Sequence, residues 1–310
     1  MHLIALLLGL TVERLATHFL HWRRMYWLDL AIDFGLHQTR HIRNWSPIFL
    51  VTILIILMVL PVFLVIYSFG DTLKGLTYLV LSVIVLFFSI GPKDLGEEID
   101  EYCNAIMDDN NKEVKNTANA LIEGKAPEDP YKCNVKVEEA ICIQANNRLF
   151  GVIFWFVFMG SFTGSIGPLA AWTYRVTDLI RRRAISMKSS DGNFDNYETN
   201  ICEAAVFLHG IMAWIPARLT ALGYATAGHA DNAIAALRSP VEDIDASLPK
   251  SSEQLLARVG FAALALVENE DETINERGVR GAMAAKKLVF RLLFIWAVII
   301  AMLTLYGFTR

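Results

Sequence analysis

The uncharged residues 44–70 restrict the fold of this chain more than any other stretch. Their centre, IFLVTILIILMVLPVFLVI, is apolar and long enough as a helix to cross a hydrocarbon core of about 30 Å. Backbone polar groups inside a bilayer must be bonded within the protein, which favours a helix for such a segment. We therefore predict a transmembrane helix here, with a kink at Pro61.

The composition extends this prediction to the whole chain. Of the 310 residues, 54% are hydrophobic, and the mean hydropathy of +0.39 is too high for an ordinary soluble protein. Charged residues, 19% of the chain, cluster between the apolar runs, which predicts polar regions outside the bilayer. The net charge of −4, with no basic stripe, argues against a nucleic-acid partner.

Two further uncharged runs predict membrane spans. Residues 75–92 follow a polar turn at 71–74 and return across the bilayer, and residues 292–308 form the last span. The apolar start of residues 1–20 is too short to cross, so we predict an interfacial helix there. Several arginines precede residue 44, which places the N-terminus in the cytoplasm by the positive-inside rule.

Residues 149–174 are uncharged but broken by the sequence GSFTGSIGP. Arg175 and the triplet 181–183 follow, and a full crossing would place these arginines outside the cell. A re-entrant helical hairpin avoids this conflict, although broken backbone at membrane depth requires protein or a wet cavity around it. The alternative is that residues 149–174 and 204–229 both cross fully.

The central segment, residues 204–229, is an apolar helix with two irregular positions. Pro216 cannot donate a backbone hydrogen bond and frees the carbonyl of Met212. Arg218 keeps its charge, at a cost of about 2.5–3.5 kcal/mol at a bilayer centre. Either Arg218 faces a polar cavity and binds an anion, or it reaches an interface while Pro216 only bends the helix.

The fold class that follows is an all-α polytopic membrane protein with helical cytoplasmic portions. It has about three full spans, a broken re-entrant hairpin and a Pro-kinked central helix. Within the acidic portion we predict two short helices, the second ending at Gly124, and a solvated surface. We also predict a polar loop over 186–200 and a helix opened by a capping box at Ser251. The predicted segments are an interfacial and basic region (1–46), a transmembrane hairpin (47–92), an acidic insertion (93–148), the re-entrant hairpin with the central helix (149–229), a second cytoplasmic portion (230–287) and the C-terminal span (288–310).

No motif in the sequence indicates a metal site or a phosphate-binding loop. The four cysteines form no CxxC pair and no Cys/His cluster, so we interpret them as reduced thiols on a cytoplasmic face. The GSFTGSIGP stretch lacks the lysine and the preceding strand of a P-loop. We assign no catalytic residue and no metal ligand.

Polar residues in or beside the predicted spans are the candidate binding residues. Arginines near one depth would form an electropositive pocket for phosphate or carboxylate, although Arg148 and Arg175 can also act as helix-end anchors. The histidines can equally be polar interface residues without a ligand role. The candidates are Glu13, Arg14, His21, Asn146, Arg148, Arg175, Trp214, Arg218 and His229.

Several stretches resemble a known superfamily. The run from Trp214 through Arg218 to Leu222, WIPARLTAL, is similar to a segment of the CobD/CbiB membrane proteins of cobalamin biosynthesis. Others are closer to the AmpE family within that superfamily, and together they cover most of the chain in order. These are Glu13-Arg14-Leu15 with His21-Trp22, Asn146-Asn147-Arg148 with Phe154-Trp155, Arg175, the Gly228-His229 end, and MAAKK at 283–287 with Leu305-Tyr306-Gly307.

The resemblance to AmpE implies a multi-pass protein of the bacterial inner membrane. Such proteins are signalling or sensory modulators associated with β-lactamase induction and cell-wall recycling. We expect an anionic ligand, a muropeptide or a nucleotide, near Arg218, Arg175 and Arg148, and a protein partner at the acidic region.

The CobD/CbiB resemblance implies an alternative, an ATP-dependent amide ligase with Glu13 and Asp178 as magnesium or base candidates. The chain departs from that pattern at residues 144–149, which are QANNRL. A third hypothesis is a membrane scaffold that recruits a partner protein through its acidic region.

Overall fold

A computed structural model describes residues 26–39, 44–69, 76–89, 95–163, 166–190, 196–239, 248–267, 269 and 271–306, which fold into helices without any strand. The helices are α1 (Tyr26–Thr39), α2 (Pro47–Phe69), α3 (Leu76–Ser89), α4 (Leu95–Met107), α5 (Asn111–Ile122), α6 (Pro130–Ala145), a π-helical turn (Asn146–Phe150), α7 (Gly151–Thr163), α8 (Gly167–Ser190), α9 (Asn196–Ala227), α10 (Ala230–Arg238), α11 (Leu248–Leu264) and α12 (Ile274–Leu305). The predicted N-terminal helix of residues 1–20 lies outside the described residues.

Four helical segments of the described chain are long and apolar enough to cross a membrane, which confirms the all-α polytopic class. They are Pro47–Ser68, Pro130–Phe162, Asn196–Ala227 and Ile274–Leu305. The surface of α2 is suited to contact with lipid, because large apolar side chains such as Ile56, Leu57 and Leu64 are at least half exposed. The predicted second span forms a helix, α3, of only 14 residues. Its length of about 21 Å is less than a hydrocarbon core.

The chain divides into two compact units, and the first comprises residues 1–93, 151–212 and 299–310. Its core lies where α1, α2, α8 and the start of α9 pack together. Leu28 and Ile32 come from α1, Val51 from α2, Val176 from α8 and Ala205 from α9. These residues recur at helical spacing, so that each helix presents one apolar face to the others.

The predicted helical hairpin is present as α7 and α8, on the two sides of the glycine-rich break. A Cβ atom built on Gly167 would lie 2.7 Å from the carbonyl oxygen of Phe156, and one on Gly151 would overlap the ring of Tyr174. Contacts at both ends show that the two helices run antiparallel at close range. The depth of this hairpin in a bilayer remains a prediction.

The second unit comprises residues 94–150 and 213–298. It joins the acidic insertion and the second predicted polar portion around a single core, which contains Val137, Ile141, Tyr224, Val259 and Leu288. The two predicted short helices are confirmed as α4 and α5. Helix α5 ends at Ile122, one residue before Glu123, which has a left-handed φ of 56°, so its end agrees with the predicted stop at Gly124.

Two local predictions are wrong. Most of the expected loop at 186–200 is helical, because α8 continues to Ser190 and α9 begins at Asn196. The side chains of Ile201 and Cys202 are buried in the first unit, and packing of this first part of α9 explains the longer helix. Helix α11 begins at Leu248, so Ser251 lies inside it rather than at its N-cap.

A reciprocal capping box does occur elsewhere, at the start of α12. The backbone nitrogen and hydroxyl of Thr273 each donate to a carboxylate oxygen of Glu276 at 2.9 Å, and the Glu276 nitrogen donates to the Thr273 hydroxyl at 3.3 Å. This pair follows the Thr-x-x-Glu pattern.

Candidate functional site

Among the described residues of the first unit, the most charged buried site lies on α8. The sequence YRVTDLIRR places Arg175, Asp178 and Arg182 at intervals of three and four residues, so the helix brings them to one face. Arg181 follows Asp178 by three residues and reaches the same carboxylate from the neighbouring face. We refer to Arg175, Asp178, Arg181 and Arg182 as the α8 cluster.

Three guanidinium groups converge on the Asp178 carboxylate. Arg175 Nη1 donates to Oδ2 at 2.8 Å, Arg181 Nη2 donates to Oδ1 at 2.8 Å, and Arg182 Nε lies 2.9 Å from Oδ2. The Asp178 side chain is completely buried, and those of Arg175 and Arg181 are 1% and 4% exposed. Arg182, at 20% exposure, is the member of the cluster that reaches the surface.

The charges around Asp178 determine its ionisation. Burial alone would raise the pKa of this carboxyl, but the positive charges of Arg182, Arg181 and Arg175 outweigh that effect and hold the pKa well below its ordinary value. Asp178 is therefore a carboxylate at any physiological pH. Its oxygens already accept hydrogen bonds from cations, and this environment disfavours a magnesium ion at the position that the ligase alternative assigned to it.

Helix α9 contributes a histidine beside this cluster. His209 is buried, its Nε2 lies 3.9 Å from Asp178 Oδ1, and its ring centroid lies 5.2 Å from that of Tyr174. Tyr174 is also fully buried, and its hydroxyl has no hydrogen-bond partner among the described residues. The ring of Tyr174 and the carboxylate of Asp178 thus both lie close to the His209 imidazole in the first unit.

The surface side of α8 is tied to α1 by a separate ion pair. Arg183 Nη2 lies 3.0 Å from Asp29 Oδ2, and Arg183 Nε lies 3.7 Å from Asp33 Oδ1, with all three side chains about one-third exposed. The arginine triplet at 181–183 therefore divides into two members that bind Asp178 and one that binds α1.

The second unit has its own polar cluster at the π-helical turn. Arg148 Nη1 donates to Glu98 at 2.6 Å and its Nε donates to Gln144 at 3.1 Å. Thr220 Oγ1 donates to Asn146 Oδ1 at 3.0 Å, and Asn146 Nδ2 donates to Asn147 at 3.2 Å. π-Helical turns are rare and often occur at functional sites, so this feature supports the selection of Asn146 and Arg148 as candidates.

Further ion pairs join the helices of this unit. Lys286 of α12 reaches both carboxylate oxygens of Asp100 on α4, at 2.6 and 2.7 Å. Arg277 of α12 bonds the buried carboxylate of Glu138 on α6. Lys286 therefore makes a structural contact in addition to any role in membrane topology.

Arg218 makes its contacts within one turn of α9. Its guanidinium lies 3.9 Å from the centroid of the Trp214 ring, and its Nη1 donates to the Trp214 carbonyl at 3.0 Å. Trp214 is 40% exposed, so this pair stands at the surface of the second unit. His229 is exposed at the N-cap of α10 instead of ending the central helix, and its backbone nitrogen donates to Ala263.

The structure therefore groups the predicted candidates by unit. Arg175 belongs to the first unit, and Arg148, Asn146, Trp214, Arg218 and His229 belong to the second. Glu13, Arg14 and His21 lie outside the described residues. Sequence reasoning assigned no role to His209 and treated residues 181–183 only as topological charges. The spacing of Arg175, Asp178 and Arg182 in the sequence could have predicted that these three side chains share one face of a helix and form an ion-pair cluster.

In the described part of the chain, no group of three or more His, Cys, Asp or Glu side chains is arranged to hold a metal ion. The long apolar helices and the buried ion pairs instead define a helical membrane protein with polar clusters inside its units. Within that class the chain belongs to the AmpE family, because its sequence matches the family described as "Regulatory signalling modulator protein AmpE" over residues 1–309. This match confirms the predicted AmpE resemblance and gives the chain the role of a signalling modulator. No curated protein and no solved structure shows a significant match to the sequence.

Proposed function

We propose that this chain is a sensor in the bacterial inner membrane that binds an anionic ligand at the α8 cluster and modulates β-lactamase induction. The ligand would be a cell-wall fragment or a nucleotide, both of which carry carboxylate or phosphate groups. The observation that supports this proposal is the convergence of three guanidinium groups on one buried carboxylate. The N-terminus and the second unit would lie on the cytoplasmic side.

The chemistry of the α8 cluster matches such a ligand. Guanidinium groups bind carboxylate and phosphate through paired, charge-assisted hydrogen bonds. Asp178 holds the three arginine side chains in place, so that little ordering is needed when an anion approaches. Arg182 is partly exposed and would make the first contact with the ligand.

The signal would leave through the second unit, where the acidic helix α4 and the neighbouring helix α5 would contact a protein partner. The side chains of Glu101 on α4 and Lys112 and Glu113 on α5 are exposed. Ion pairs such as Lys286–Asp100 join α4 to α12, a helix that continues into a candidate span. A movement of α12 would thus displace the region that contacts the partner.

The proposal is tested by thermal unfolding of the purified full-length protein against anhydromuropeptides, UDP-linked muropeptide precursors and ATP. Binding at a hundredfold excess over Kd stabilises the native state by about 2.7 kcal/mol. We expect an active ligand to raise the melting temperature of the wild type and of Arg183→Met, but not of Arg182→Met. Arg183 is the matched control because it pairs with α1 outside the α8 cluster.

Arg218→Met separates the α8 cluster from the surface site of the second unit. A ligand shift that persists in Arg182→Met but disappears in Arg218→Met would reject the α8 cluster and assign the anion to the Trp214–Arg218 pair. Normal β-lactamase induction in cells that carry Arg182→Met at wild-type protein levels would also contradict the proposal.

A further inference from the structure

The first unit contains an apolar cavity of about 330 Å³ between α1, α2, α3 and α8. This volume lies within the range of roughly 300–1,000 Å³ that is typical of small-molecule sites. The cavity and the α8 cluster share no residues, since none of the four cluster residues lines the cavity. Its lining residues are Trp27, Pro61, Val62, Val65, Ile66, Leu81, Ile84, Val85, Phe88 and Trp172.

The lining of the cavity excludes water as a stable occupant. Apart from the two tryptophans, every lining side chain is a hydrocarbon. The indole nitrogen of Trp172 already donates to the carbonyl of Met58 at 3.3 Å. A stable buried water requires two to four polar partners, and these walls do not supply them.

The cavity is continuous with the lipid-facing surface of α2 and α3. Val65 and Ile84 line it and are also 43% and 44% exposed. Val65 lies beside Leu64, which is half exposed on the outer surface of the apolar helix α2. A molecule that dissolves in the hydrocarbon core of the bilayer can therefore reach the cavity from the side.

We propose that this cavity binds one hydrocarbon chain of a membrane lipid. Walls that face an empty space lose their dispersion contacts, and water cannot restore them. Lipid chains are the abundant apolar molecules around a membrane-spanning helix, and part of a single flexible chain fits a cavity of about 330 Å³ between helices. The proposal does not depend on the anionic ligand of the α8 cluster.

The test uses the full-length protein in phosphatidylcholine nanodiscs with a trace of phospholipid that carries a diazirine in one acyl chain. After irradiation, the crosslinked peptides are mapped by mass spectrometry. We expect the wild type to be labelled mainly at 61–66 and 81–88. Val65→Trp and Ile84→Trp fill the cavity, and each should reduce this labelling several-fold.

Matched controls introduce a tryptophan on the same two helices at exposed positions that do not line the cavity. Leu64→Trp and Val80→Trp change side chains that are 50% and 48% exposed but do not line the cavity, and both should keep wild-type labelling. Only variants that melt cooperatively in detergent enter the comparison. The test can be made with Val65→Trp or with Ile84→Trp alone, if only one of them folds. Equal labelling of the filling and control variants, or labelling spread evenly over the outer faces of α2 and α12, would overturn the proposal.

Discussion

The carbonyl of Met212 shows how single residues make an irregular helix tolerable in an apolar protein. Pro216 has no backbone N–H to donate to this oxygen. The indole nitrogen of Trp155 on α7 donates to it at 3.0 Å. Trp172 donates to the carbonyl of Met58 at 3.3 Å in the turn before Pro61, which, like Pro216, lies in the interior of a helix rather than in its first turn. Tryptophans of the α7–α8 hairpin thus bond to the helices at both proline sites.

Replacing Trp155 with Phe should destabilise the protein by about 0.5–1.5 kcal/mol, because a partly buried acceptor loses its donor. The measurement is the unfolding free energy in mild detergent. In a Pro216→Ala background the restored backbone N–H can bond Met212, so the same change should cost less. Trp45→Phe is the control, since Trp45 is half exposed and contacts Phe49 through its ring. Additive costs in the double-mutant cycle would contradict this account.

Asp178 leads to a prediction about pH. Its pKa is lowered in the folded state, so its contribution to stability is fully present above the ordinary carboxyl pKa of about 3.9 and is lost as the pH falls through the lower folded value. Asp178→Asn should cost about 3–5 kcal/mol at neutral pH, because buried guanidinium groups lose their carboxylate. When both proteins also carry His209→Gln, so that no imidazole titrates beside residue 178, their unfolding free energies should differ by a constant amount from pH 8 to pH 5. A difference that narrows within that window would refute the prediction.

At the scale of elements, the α7–α8 hairpin depends on close contact between two backbones. Gly167→Ala would press a methyl group against the Phe156 carbonyl oxygen, 2.7 Å away, and against the Cα of Gly160 at 3.2 Å. Backbone atoms of a helix cannot rotate aside, so we expect a loss of about 1–3 kcal/mol. Gly124→Ala is the control, because a Cβ atom there meets nothing within 4 Å. Equal melting temperatures of the two variants would show that α7 and α8 are not in close contact.

The elements that the sequence predicted well are those with one dominant signal. Long uncharged runs identified α2, α9 and α12, and the glycine-rich break identified the α7–α8 hairpin. The extension of α8 to Ser190 was missed because polar residues over 186–190 carry no apolar period. Helix α1 was not predicted, although Leu28, Ile32 and Leu36 recur at helical spacing and pack in the first unit.

At the scale of the whole molecule, the sequence located the polar candidates but not their partners. Arg148 was selected because it precedes an apolar run, while its partner Glu98 lies 50 residues earlier and depends on the packing of α4. His209 was missed because a single histidine in an apolar helix has no spacing signal, and only the approach of α8 to α9 places it beside Asp178. Pairings between distant helices are set by tertiary packing, which periodicity within one helix does not encode.

The predicted topology places the second unit in the cytoplasm and the turn at residues 71–74 on the outer side. The four native cysteines are buried, and burial raises the pKa of the Cys103 thiol to about 11, so background labelling by maleimides should be low. Lys115 is exposed on α5, so Lys115→Cys should react only after the inner membrane is permeabilised. Asp71→Cys should react with an impermeant maleimide in intact spheroplasts. Labelling of Lys115→Cys in intact spheroplasts would reverse the orientation and move the proposed partner site to the outer side of the membrane.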